Sequence, residues 1–349
     1  MLLCSCHTER KSLDTEVIYA PRHAQGFEVV RDKATGERLL RIDNPWQGAT
    51  DVVFYIPLER AAQRIVAMSS SYVAMLDAIG CGERIVGISG TRFISTPNIV
   101  KRIDEGAIAE VGYDGAFDFE KIRAMQSDLV LLYGVAGEAK MLSNKLNTLD
   151  IPYIYIGDYI EETPLGKAEW VVALAYLCGC EERGKALFDG VEERYNALRN
   201  RRYCSAYRPR VMLNTPYRDS WFMPPVNSYM VHLIKDAGGD YIYKENNSTS
   251  SKPISLEEAL LLAEGCDFWL NVGQYTSLDE LCRVAPHFAG VDAVKHRRVY
   301  NNTRRTTPNG GSDFWESGAV HPDLILADLI KILHYEAKSE ELYYYEQLQ

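Results

Sequence analysis

The chain lacks the sequence features that most directly mark a membrane span or a nucleotide-dependent enzyme. No segment among its 349 residues approaches the about 20 consecutive apolar residues that span a bilayer. No G-x-G-x-x-G follows the first strand of the predicted α/β region, and there is no G-x-x-x-x-G-K-S/T phosphate loop. Ser69-Ser70-Ser71 does not have the pattern of a nucleophile elbow. We therefore do not expect an enzyme.

Positive charge, histidine clusters and metal-type cysteine patterns are also scarce. The net charge of −10 argues against nucleic acid as a partner. None of the seven histidines follows a strand of the first predicted lobe, and none of the eight cysteines forms a C-x-x-C pair with a matching histidine cluster, so no metal site is expected. Cys178 and Cys180 are too close for a comfortable bridge. Like Cys81 and Cys266, they lie among apolar residues, and all four are expected to be buried thiols.

The N-terminus contains a pattern typical of a bacterial lipobox. Leu3-Cys4-Ser5-Cys6 places a leucine three positions before a cysteine, and Cys6 would then be the lipid-modified residue. The basic and apolar regions expected before such a site are absent from this sequence. The alternative is that both cysteines occur near this terminus by chance.

The order of predicted elements divides the chain into segments. Strand-like stretches on either side of a Thr35-Gly36 turn predict an N-terminal β hairpin. Two regions of alternating strands and helices follow, so each should form a lobe with a mainly parallel sheet and helices outside it. Between them lies an Ala-, Leu- and Glu-rich stretch that predicts one long helix, with Gly179 or Gly184 as a point where it could break. The predicted segments are a signal remnant and tether (1–12), an N-terminal β appendage (13–60), an N-terminal α/β lobe (61–160), an interlobe helix (161–205), a C-terminal α/β lobe (206–337) and a tail (338–349).

One short pattern occurs once in each lobe. Phe119-Glu120-Lys121-Ile122 precedes a strand that starts at Asp128, and Leu256-Glu257-Glu258-Ala259 precedes a strand that starts at Asp267. Each copy predicts a short helix with an acidic residue in its first turn, followed by a buried parallel strand. The repeat indicates two similar lobes and suggests a two-point contact with a partner.

These features together resemble the class III substrate-binding proteins of bacterial ABC importers. The resemblance covers roughly residues 62–336 and is most specific at Val111-Gly112 through Glu120 to Asp128-Leu129-Val130, at the long helix, and at Ile254-Ser255-Leu256-Glu257. It implies two Rossmann-like lobes joined by one backbone helix, with ligand held in the cleft between them. Members of this cluster bind iron–siderophore chelates, haem or cobalamin.

The resemblance also implies roles for the two repeated glutamates. Glu120 and Glu257 match the family's docking glutamates, which form salt bridges with arginines of the dimeric permease. A carboxylate in the first turn of a helix is favoured by the helix dipole, and such a pair mostly adds orientation and association rate. Simple helix capping, with Asp118 and Ser255 as the neighbouring caps, is the alternative. The two spacings differ, so Glu258 competes with Glu257.

Ligand-binding residues are expected where the strands of each lobe end, because ligands of open α/β sheets lie beyond the carboxyl ends of the strands. Tyrosine is abundant, at 22 residues, and its half-polar ring suits a wet binding surface. Each aromatic could instead pack within its lobe. Arginines at these positions would neutralise anionic oxygens. The predicted contacts are Ser70, Ser71, Tyr72, Arg92, Tyr113 and Tyr133 in the first lobe, and Tyr217, Trp221, Arg304, Arg305 and Trp315 in the second.

The expected function is therefore that of a substrate-binding component of an ABC importer. A ferric siderophore is the favoured ligand, since aromatic residues are mixed with arginines, and haem or cobalamin is the alternative. A second alternative is a non-transport lipoprotein or an enzyme on the same scaffold. We expect a monomer without an intrinsic cofactor, on the periplasmic or cell-surface side. It would touch the membrane only through a lipid anchor and would serve an ABC permease dimer.

Overall fold

The computed structural model describes residues 13–113, 115–134, 138–201, 207–335 and 338–349. This part of the chain forms two compact units, each built from three stretches of sequence. Unit 1 contains the described residues up to Glu161, Leu165–Val191 and Thr307–Val320. Unit 2 contains Glu162–Pro164, Glu192–Thr306 and His321–Gln349.

Unit 1 begins with an antiparallel sheet of four strands. These are β1 (Thr15–Tyr19), β2 (Phe27–Asp32), β3 (Arg38–Asp43) and β4 (Val53–Pro57), paired in that order. The Asp32 carboxylate accepts a hydrogen bond from the Ala34 amide, and Gly36 adopts a φ of 77°, so the turn between β2 and β3 forms where Thr35-Gly36 predicts it. The predicted N-terminal β structure is confirmed.

A parallel sheet with helices follows in unit 1. Its strand order is β11-β10-β5-β6-β7, and all four of its strand pairs are parallel. A short antiparallel pair, β8 with β9, lies between β7 and the next helix. The elements are β5 (Ile65–Ala67), α1 (Ser70–Ala78), β6 (Ile85–Ile88), α2 (Pro97–Asp104), β7 (Ala109–Glu110), β8 (Gly112–Tyr113), β9 (Ala116–Phe117), α3 (Phe119–Ala124), β10 (Leu129–Leu132), α4 (Glu138–Thr148) and β11 (Tyr153–Tyr155).

The predicted interlobe helix consists of two helices, α5 (Pro164–Leu177) and α6 (Glu181–Arg199). Gly179 takes a left-handed φ of 65°, and the amides of Gly179 and Cys180 bond back to the carbonyls of Tyr176 and Ala175. This is a Schellman end, which glycine favours because it has no Cβ to clash in that conformation. The break therefore falls at one of the two glycines that the sequence indicated. The division between the units falls within α6.

Unit 2 is also built around a mainly parallel sheet. Its main sheet has the order β14-β12-β16-β17-β18, in which only the pairing of β18 is antiparallel within the described chain. A separate hairpin pairs β13 with β15. The elements are β12 (Arg210–Leu213), β13 (Ser220–Met223), α7 (Tyr229–Asp236), β14 (Asp240–Tyr241), β15 (Lys252–Ser255), α8 (Leu256–Glu264), β16 (Phe268–Leu270), α9 (Leu278–Val284), α10 (Asp292–Lys295), β17 (Val299–Asn301), α11 (Pro322–Tyr335) and β18 (Glu346–Gln347).

The last residues differ from the predicted tail, because they complete the sheet of unit 2. Strand β18 pairs with β17, and Tyr344 and Tyr345 are fully buried. The carboxylate of Asp328, on α11, accepts hydrogen bonds from the amides of Tyr343, Tyr344 and Tyr345. A buried carboxylate that receives several amides fixes the turn after α11, so 338–349 belongs to the fold of this unit.

The repeated motif ends in an aspartate in both copies, and the two aspartates make equivalent hydrogen bonds. The Asp128 carboxylate accepts from the amides of Gln63 and Arg64, just before β5. The Asp267 carboxylate accepts from the amide of Arg210, at the start of β12. Each aspartate thus ties the beginning of one strand to the beginning of its parallel neighbour. The duplication that the sequence suggested extends to these contacts.

Candidate functional site

The carboxyl ends of the parallel strands in unit 1 gather most of the predicted first-lobe contacts at one edge of the sheet. Ser70 and Ser71 follow β5, Arg92 follows β6, Tyr113 follows β7, and Tyr133 follows β10. Because β5 has later strands on both of its sides, the chain changes direction between β5 and β10, which is where ligands of open α/β sheets lie. We call this edge the unit 1 surface.

Arg92 lies over two aromatic rings on the unit 1 surface. Its guanidinium carbon is 4.6 Å from the ring centroid of Phe93 and 5.7 Å from that of Tyr113, and the two rings are 4.9 Å apart. Tyr113 remains 50% exposed. Within the described chain no carboxylate forms an ion pair with Arg92, so its charge is available to an anionic ligand.

Glu110 holds the loops that carry this cluster, and the sequence predictions included neither it nor Phe93. One carboxylate oxygen accepts from the amides of Gly90 and Gly112, at 2.9 Å each, and the other accepts from the amide and hydroxyl of Thr91. A glutamate at a strand end gives no sequence signal of this role. Phe93 could have been found as the neighbour of Arg92.

The predicted contact residues Ser70, Ser71, Tyr72 and Tyr133 differ in burial and in their contacts. The side chain of Ser71 is 3.0 Å from that of Ser69, and Ser70 is half-buried at the first position of α1. Tyr133 is half-buried after β10. Tyr72 is buried, and its hydroxyl donates to the carbonyls of Leu132 and Ile156.

Tyr72 is therefore a core residue, which corrects the prediction that it contacts ligand. Burial, followed by the nearby charge of Asp158, raises the pKa of Tyr72 well above its usual value. The hydroxyl stays protonated and bonds two carbonyls at the ends of β10 and β11.

Trp46, in the connection between β3 and β4, covers part of the same edge. Its Cβ lies 2.8 Å from the position that a Cβ on Gly134 would occupy, directly after Tyr133. Its ring centroid is 5.1 Å from that of Tyr155, on β11. Only glycine at 134 allows this approach. The connection between β3 and β4 therefore shapes the unit 1 surface, which nothing in the sequence indicated.

The loop of residues 307–320 lies with unit 1, although the sequence placed it in the C-terminal lobe. Gly311 packs directly on the backbone of Phe93, where a Cβ would lie 1.9 Å from the carbonyl oxygen. Trp315 is 48% exposed, and its ring meets that of buried Phe314 edge to face at 4.7 Å. The structure thus places Trp315 in the same unit as Arg92 and Tyr113.

The carboxylate of buried Glu316 fixes this loop. It accepts hydrogen bonds from the amides and the hydroxyls of Ser95 and Thr96, at 2.5–2.9 Å. Burial raises the pKa of Glu316, and the four donors oppose that shift. The position of the neighbouring Trp315 therefore depends on these four bonds.

In unit 2, a tight turn presents Tyr217 at the carboxyl end of β12. The amide of Tyr217 donates to the carbonyl of Ser220, and the amide of Ser220 donates back to the carbonyl of Tyr217. Arg218 occupies the turn with a φ of 56°, and its guanidinium carbon is 5.3 Å from the Tyr217 ring centroid. Tyr217 is 61% exposed, so the turn offers a ring and a cation to solvent.

Trp221 is a core residue, which corrects its assignment to the ligand site. Its side chain is completely buried, and its indole nitrogen donates to the Leu213 carbonyl at 2.9 Å. Its ring centroid is 5.5 Å from that of Trp269 and 5.0 Å from that of Phe288. These contacts hold β13 against the main sheet of unit 2.

The two adjacent arginines after β17 are both exposed but differ in their contacts. Arg305 lies over the ring of Tyr343, 4.6 Å from its centroid. Arg304 forms no ion pair with any carboxylate of the described chain. The Thr303 hydroxyl donates to Glu346, on β18, and so anchors the loop that carries both. Together with Tyr217, they form what we call the unit 2 surface.

The two repeated glutamates occupy the same helical position. Asp118 and Ser255 cap α3 and α8 by accepting from the amides of Lys121 and Glu258, so Glu120 and Glu257 are each the second residue of their helix. Both side chains are exposed and unpaired within the described chain. Since the aspartate and the serine do the capping, the glutamates are not needed for it.

The spacing difference between the motif copies comes from helix length. Helix α8 has nine residues and α3 has six, and the connection to the next strand is one residue shorter after α8. Glu258 is the third residue of its helix, so Glu257 is the positional equivalent of Glu120.

The remaining predictions concern the cysteines, metal-binding clusters and membrane spans. Cys6 lies outside the described residues. Within the described chain, no group of three or more His, Cys, Asp or Glu side chains is placed to hold a metal ion. Cys81, Cys178 and Cys266 are buried, whereas Cys180 is only partly covered. No described helix has both the length and the apolar character that a membrane span requires.

Comparison with known proteins identifies the family. A family model described as periplasmic binding protein matches residues 65–305. The chain belongs to the periplasmic binding protein family. The match begins at β5 and ends at Arg305, so it covers part of each unit, including the parallel strands from β5 to β17.

This periplasmic binding protein is similar to other proteins along most of its length. It is 28% identical over 323 residues to an uncharacterised lipoprotein of Methanocaldococcus jannaschii, which covers 87% of this chain and 74% of the relative. The solved periplasmic haem-binding protein HutB of Vibrio cholerae has a TM-score of 0.59 and 17% identity, over 76% of this chain and 98% of that one. The periplasmic vitamin B12-binding protein BtuF of Vibrio cholerae has a TM-score of 0.56 and 16% identity, over 78% and 96%.

The two structural neighbours show the fold of this periplasmic binding protein. Together with the family match, they confirm the predicted class III relationship and the two-lobed α/β architecture. The fold is that of the substrate-binding proteins of ABC importers.

Proposed function

We propose that this periplasmic binding protein captures an anionic metal chelate, a ferric siderophore in the first instance, and delivers it to an ABC permease dimer. The observation that carries this proposal is the position of Arg92, exposed over Phe93 and Tyr113 without a carboxylate partner in the described chain. A cation beside aromatic rings suits a ligand that combines flat groups with anionic oxygens. On the unit 2 surface, Arg218 and Tyr217 offer the same combination, and Arg304 adds an exposed cation.

Thermal unfolding and titration calorimetry test the proposal. A bound chelate should raise the melting temperature by mass action, and the panel should include ferric catecholates, ferric hydroxamates, haem and cobalamin. Replacing Arg92 or Arg304 with alanine removes a charge-assisted contact, so each change should weaken chelate binding about 10- to 100-fold. Arg31→Ala and Arg283→Ala are matched controls, because both arginines are exposed and neither follows a strand of the two parallel sheets.

The outcomes separate the ligand classes. Stabilisation by a ferric siderophore, lost in the Arg92 and Arg304 variants and retained in the controls, supports the proposal. If cobalamin binds and neither arginine change affects its affinity, the natural ligand is a neutral molecule and not a siderophore. No stabilisation by any member of the panel contradicts the proposed ligand class.

Haem is a second candidate because two exposed tyrosines lie among these cations. Tyr113, beside Arg92, and Tyr217, beside Arg218, are at least half exposed and could each offer a phenolic oxygen to iron. Haem titration followed by absorption spectroscopy tests this. If tyrosine ligates the iron, Tyr113→Phe or Tyr217→Phe should remove the tyrosinate charge-transfer band, whereas Tyr343→Phe should leave it intact.

The same proposal places the protein outside the cytoplasm. The family match and the lipoprotein relative support an extracytoplasmic, lipid-anchored location, with Cys6 as the modified residue. It also assigns Glu120 and Glu257 to permease docking, because both are exposed, unpaired in the described chain and equivalent in position.

A further inference from the structure

Three cysteines of unit 1 meet where the chain leaving α1 packs against the turn between α5 and α6. The sulfur of Cys81, three residues after the end of α1, lies 3.7 Å from the sulfur of Cys180. Cys178, at the other side of the same turn, lies near enough to influence the Cys81 thiol. Residues 81 and 180 are far apart in sequence, so this approach is a product of the fold.

Two arginines hold the opposing segments together. Arg84 donates to the carbonyls of Cys178, at 2.8 Å, and Ala62, at 2.9 Å. Arg183 donates to the Ile79 carbonyl at 2.7 Å. One arginine therefore reaches from the Cys81 segment to the turn, and the other reaches back from α6. These bonds tie the two segments together beside the 3.7 Å approach of the Cys81 and Cys180 sulfurs.

The local charges make the thiols unequal. The neighbouring Cys178 thiol, aided by Cys180, Arg84 and Arg183, lowers the pKa of the Cys81 thiol to about 6 against the opposing effect of burial. Burial and the neighbouring Cys81 charge raise the pKa of Cys180 to about 11. Within the cluster, Cys81 is therefore the thiol that gives up its proton most readily, and Cys180 holds its proton more tightly. Cys81 is buried, whereas Cys180 is partly exposed.

We propose that Cys81 and Cys180 form a reversible disulfide by exchange with an external low-molecular-weight disulfide. In the first step, Cys180 loses its proton and attacks the external disulfide, which forms a mixed disulfide and releases one external thiolate. In the second step, the Cys81 thiolate attacks the Cys180 sulfur, and the second external thiolate leaves. Two electrons pass from the two protein sulfurs to the external disulfide. The proton released by Cys180 and one from solvent, where Cys81 has already released its own, convert the two external thiolates to thiols.

The resulting bond would link the end of α1 to the α5–α6 turn. The sulfurs have to move from 3.7 Å to the about 2.05 Å of a disulfide. The bond would close a loop of about a hundred residues, so it should restrict the unfolded chain strongly and stabilise unit 1. This device does not depend on the ligand and adds a redox-sensitive site to the protein.

Peptide mapping of the full chain tests the pairing. The protein is equilibrated with oxidised and reduced glutathione at several ratios, quenched with acid, alkylated and digested. We expect a Cys81–Cys180 linked peptide under oxidising ratios and a melting temperature about 5 °C above that of the reduced protein. Cys266→Ser is the matched control, because Cys266 is another buried thiol outside the cluster, and this variant should keep the bond.

Single variants test the order of the steps. Cys81→Ser should accumulate a glutathione adduct on Cys180, since the second thiolate is missing, and should show no oxidative rise in melting temperature. Cys180→Ser should form neither the bond nor an adduct on buried Cys81. Cys178→Ser should still form the Cys81–Cys180 bond.

Two results would overturn the proposal. One is the absence of any linked peptide in folded protein after equilibration with oxidised glutathione, with circular dichroism confirming that the protein is folded. The other is a Cys81–Cys178 link in the wild-type protein, which would show that Cys81 pairs with Cys178 and not with Cys180.

Discussion

At the scale of single residues, buried carboxylates fix the connections of unit 1. Glu169 on α5 is completely buried and accepts hydrogen bonds from the Tyr19 hydroxyl and from the amides of Arg22, His23 and Ala24. These donors lie at the end of β1 and in the connection to β2. One side chain therefore ties the N-terminal sheet to α5, and the sheet belongs to the core of its unit.

Glu169→Gln should destabilise unit 1 by about 2–3 kcal/mol, because each carboxylate oxygen receives two donors and an amide NH₂ can replace neither oxygen without leaving a buried amide unpaired. Urea unfolding followed by tryptophan fluorescence measures the change. Glu182→Gln, at an exposed pair with Lys185, is the control and should stay within about 0.5 kcal/mol of wild type. An equal effect of both changes would mean that the Glu169 contacts contribute little.

The sequence predicts which residues follow a strand, but not which way each side chain points. Arg92 and Tyr113 are exposed as expected, whereas Tyr72 and Trp221 turn into the cores. Tyr72 is the third residue of α1, on the face that packs on the sheet, and Trp221 lies on a strand whose partner β15 is contributed by a later segment of the chain. Pairing partners of this kind are set by tertiary contacts, which local patterns do not contain.

At the scale of elements, the loop of residues 307–320 carries an exposed aromatic into unit 1. Its attachment is the set of four hydrogen bonds from Ser95 and Thr96 to Glu316, together with the contact of Gly311 on Phe93. The chain reaches this position from β17, in unit 2, so linear order predicted the wrong neighbours for Trp315.

Glu316→Gln should release this loop. Two of the four donors lose a carboxylate oxygen, so amide exchange of residues 95–96 and 307–320 should accelerate at least about tenfold, which corresponds to about 1.4 kcal/mol. Hydrogen–deuterium exchange with mass spectrometry resolves these peptides. Glu105→Gln, at the exposed end of α2, is the control. Unchanged exchange in both variants would show that Gly311 and Phe314 suffice to hold the loop.

Other elements follow directly from local sequence. The hairpin at Thr35-Gly36, the helix caps at Asp118 and Ser255, and the end of α5 at Gly179 all depend on residues within one turn of the feature. Their chemistry is local, so the sequence contains it. The strand at Glu346–Gln347 was not predicted, because it is two residues long and depends on pairing with β17.

At the scale of the whole molecule, the repeat gives each unit the same strand connection and the same exposed glutamate. Asp128 and Asp267 tie equivalent strand starts, and Glu120 and Glu257 occupy equivalent helix positions. The sequence predicts the duplication because both copies keep the motif. It does not predict the identity of the ligand, because the arginines and tyrosines at the strand ends come from loops without a shared pattern.

The docking proposal predicts that charge reversal of both glutamates separates delivery from capture. Glu120→Arg combined with Glu257→Arg should lower uptake of the chelate at least about tenfold in proteoliposomes that carry the permease, because two attractive contacts with arginines become repulsive. Ligand affinity should stay within about twofold of wild type, since neither residue follows the carboxyl end of a strand in the two parallel sheets. Glu258→Arg carries the same charge change one position along α8 and should leave uptake nearly intact. Loss of uptake with Glu258→Arg but not with Glu257→Arg would move the contact to the third helical position. Loss of affinity in the double variant would place these glutamates in the fold or the ligand site.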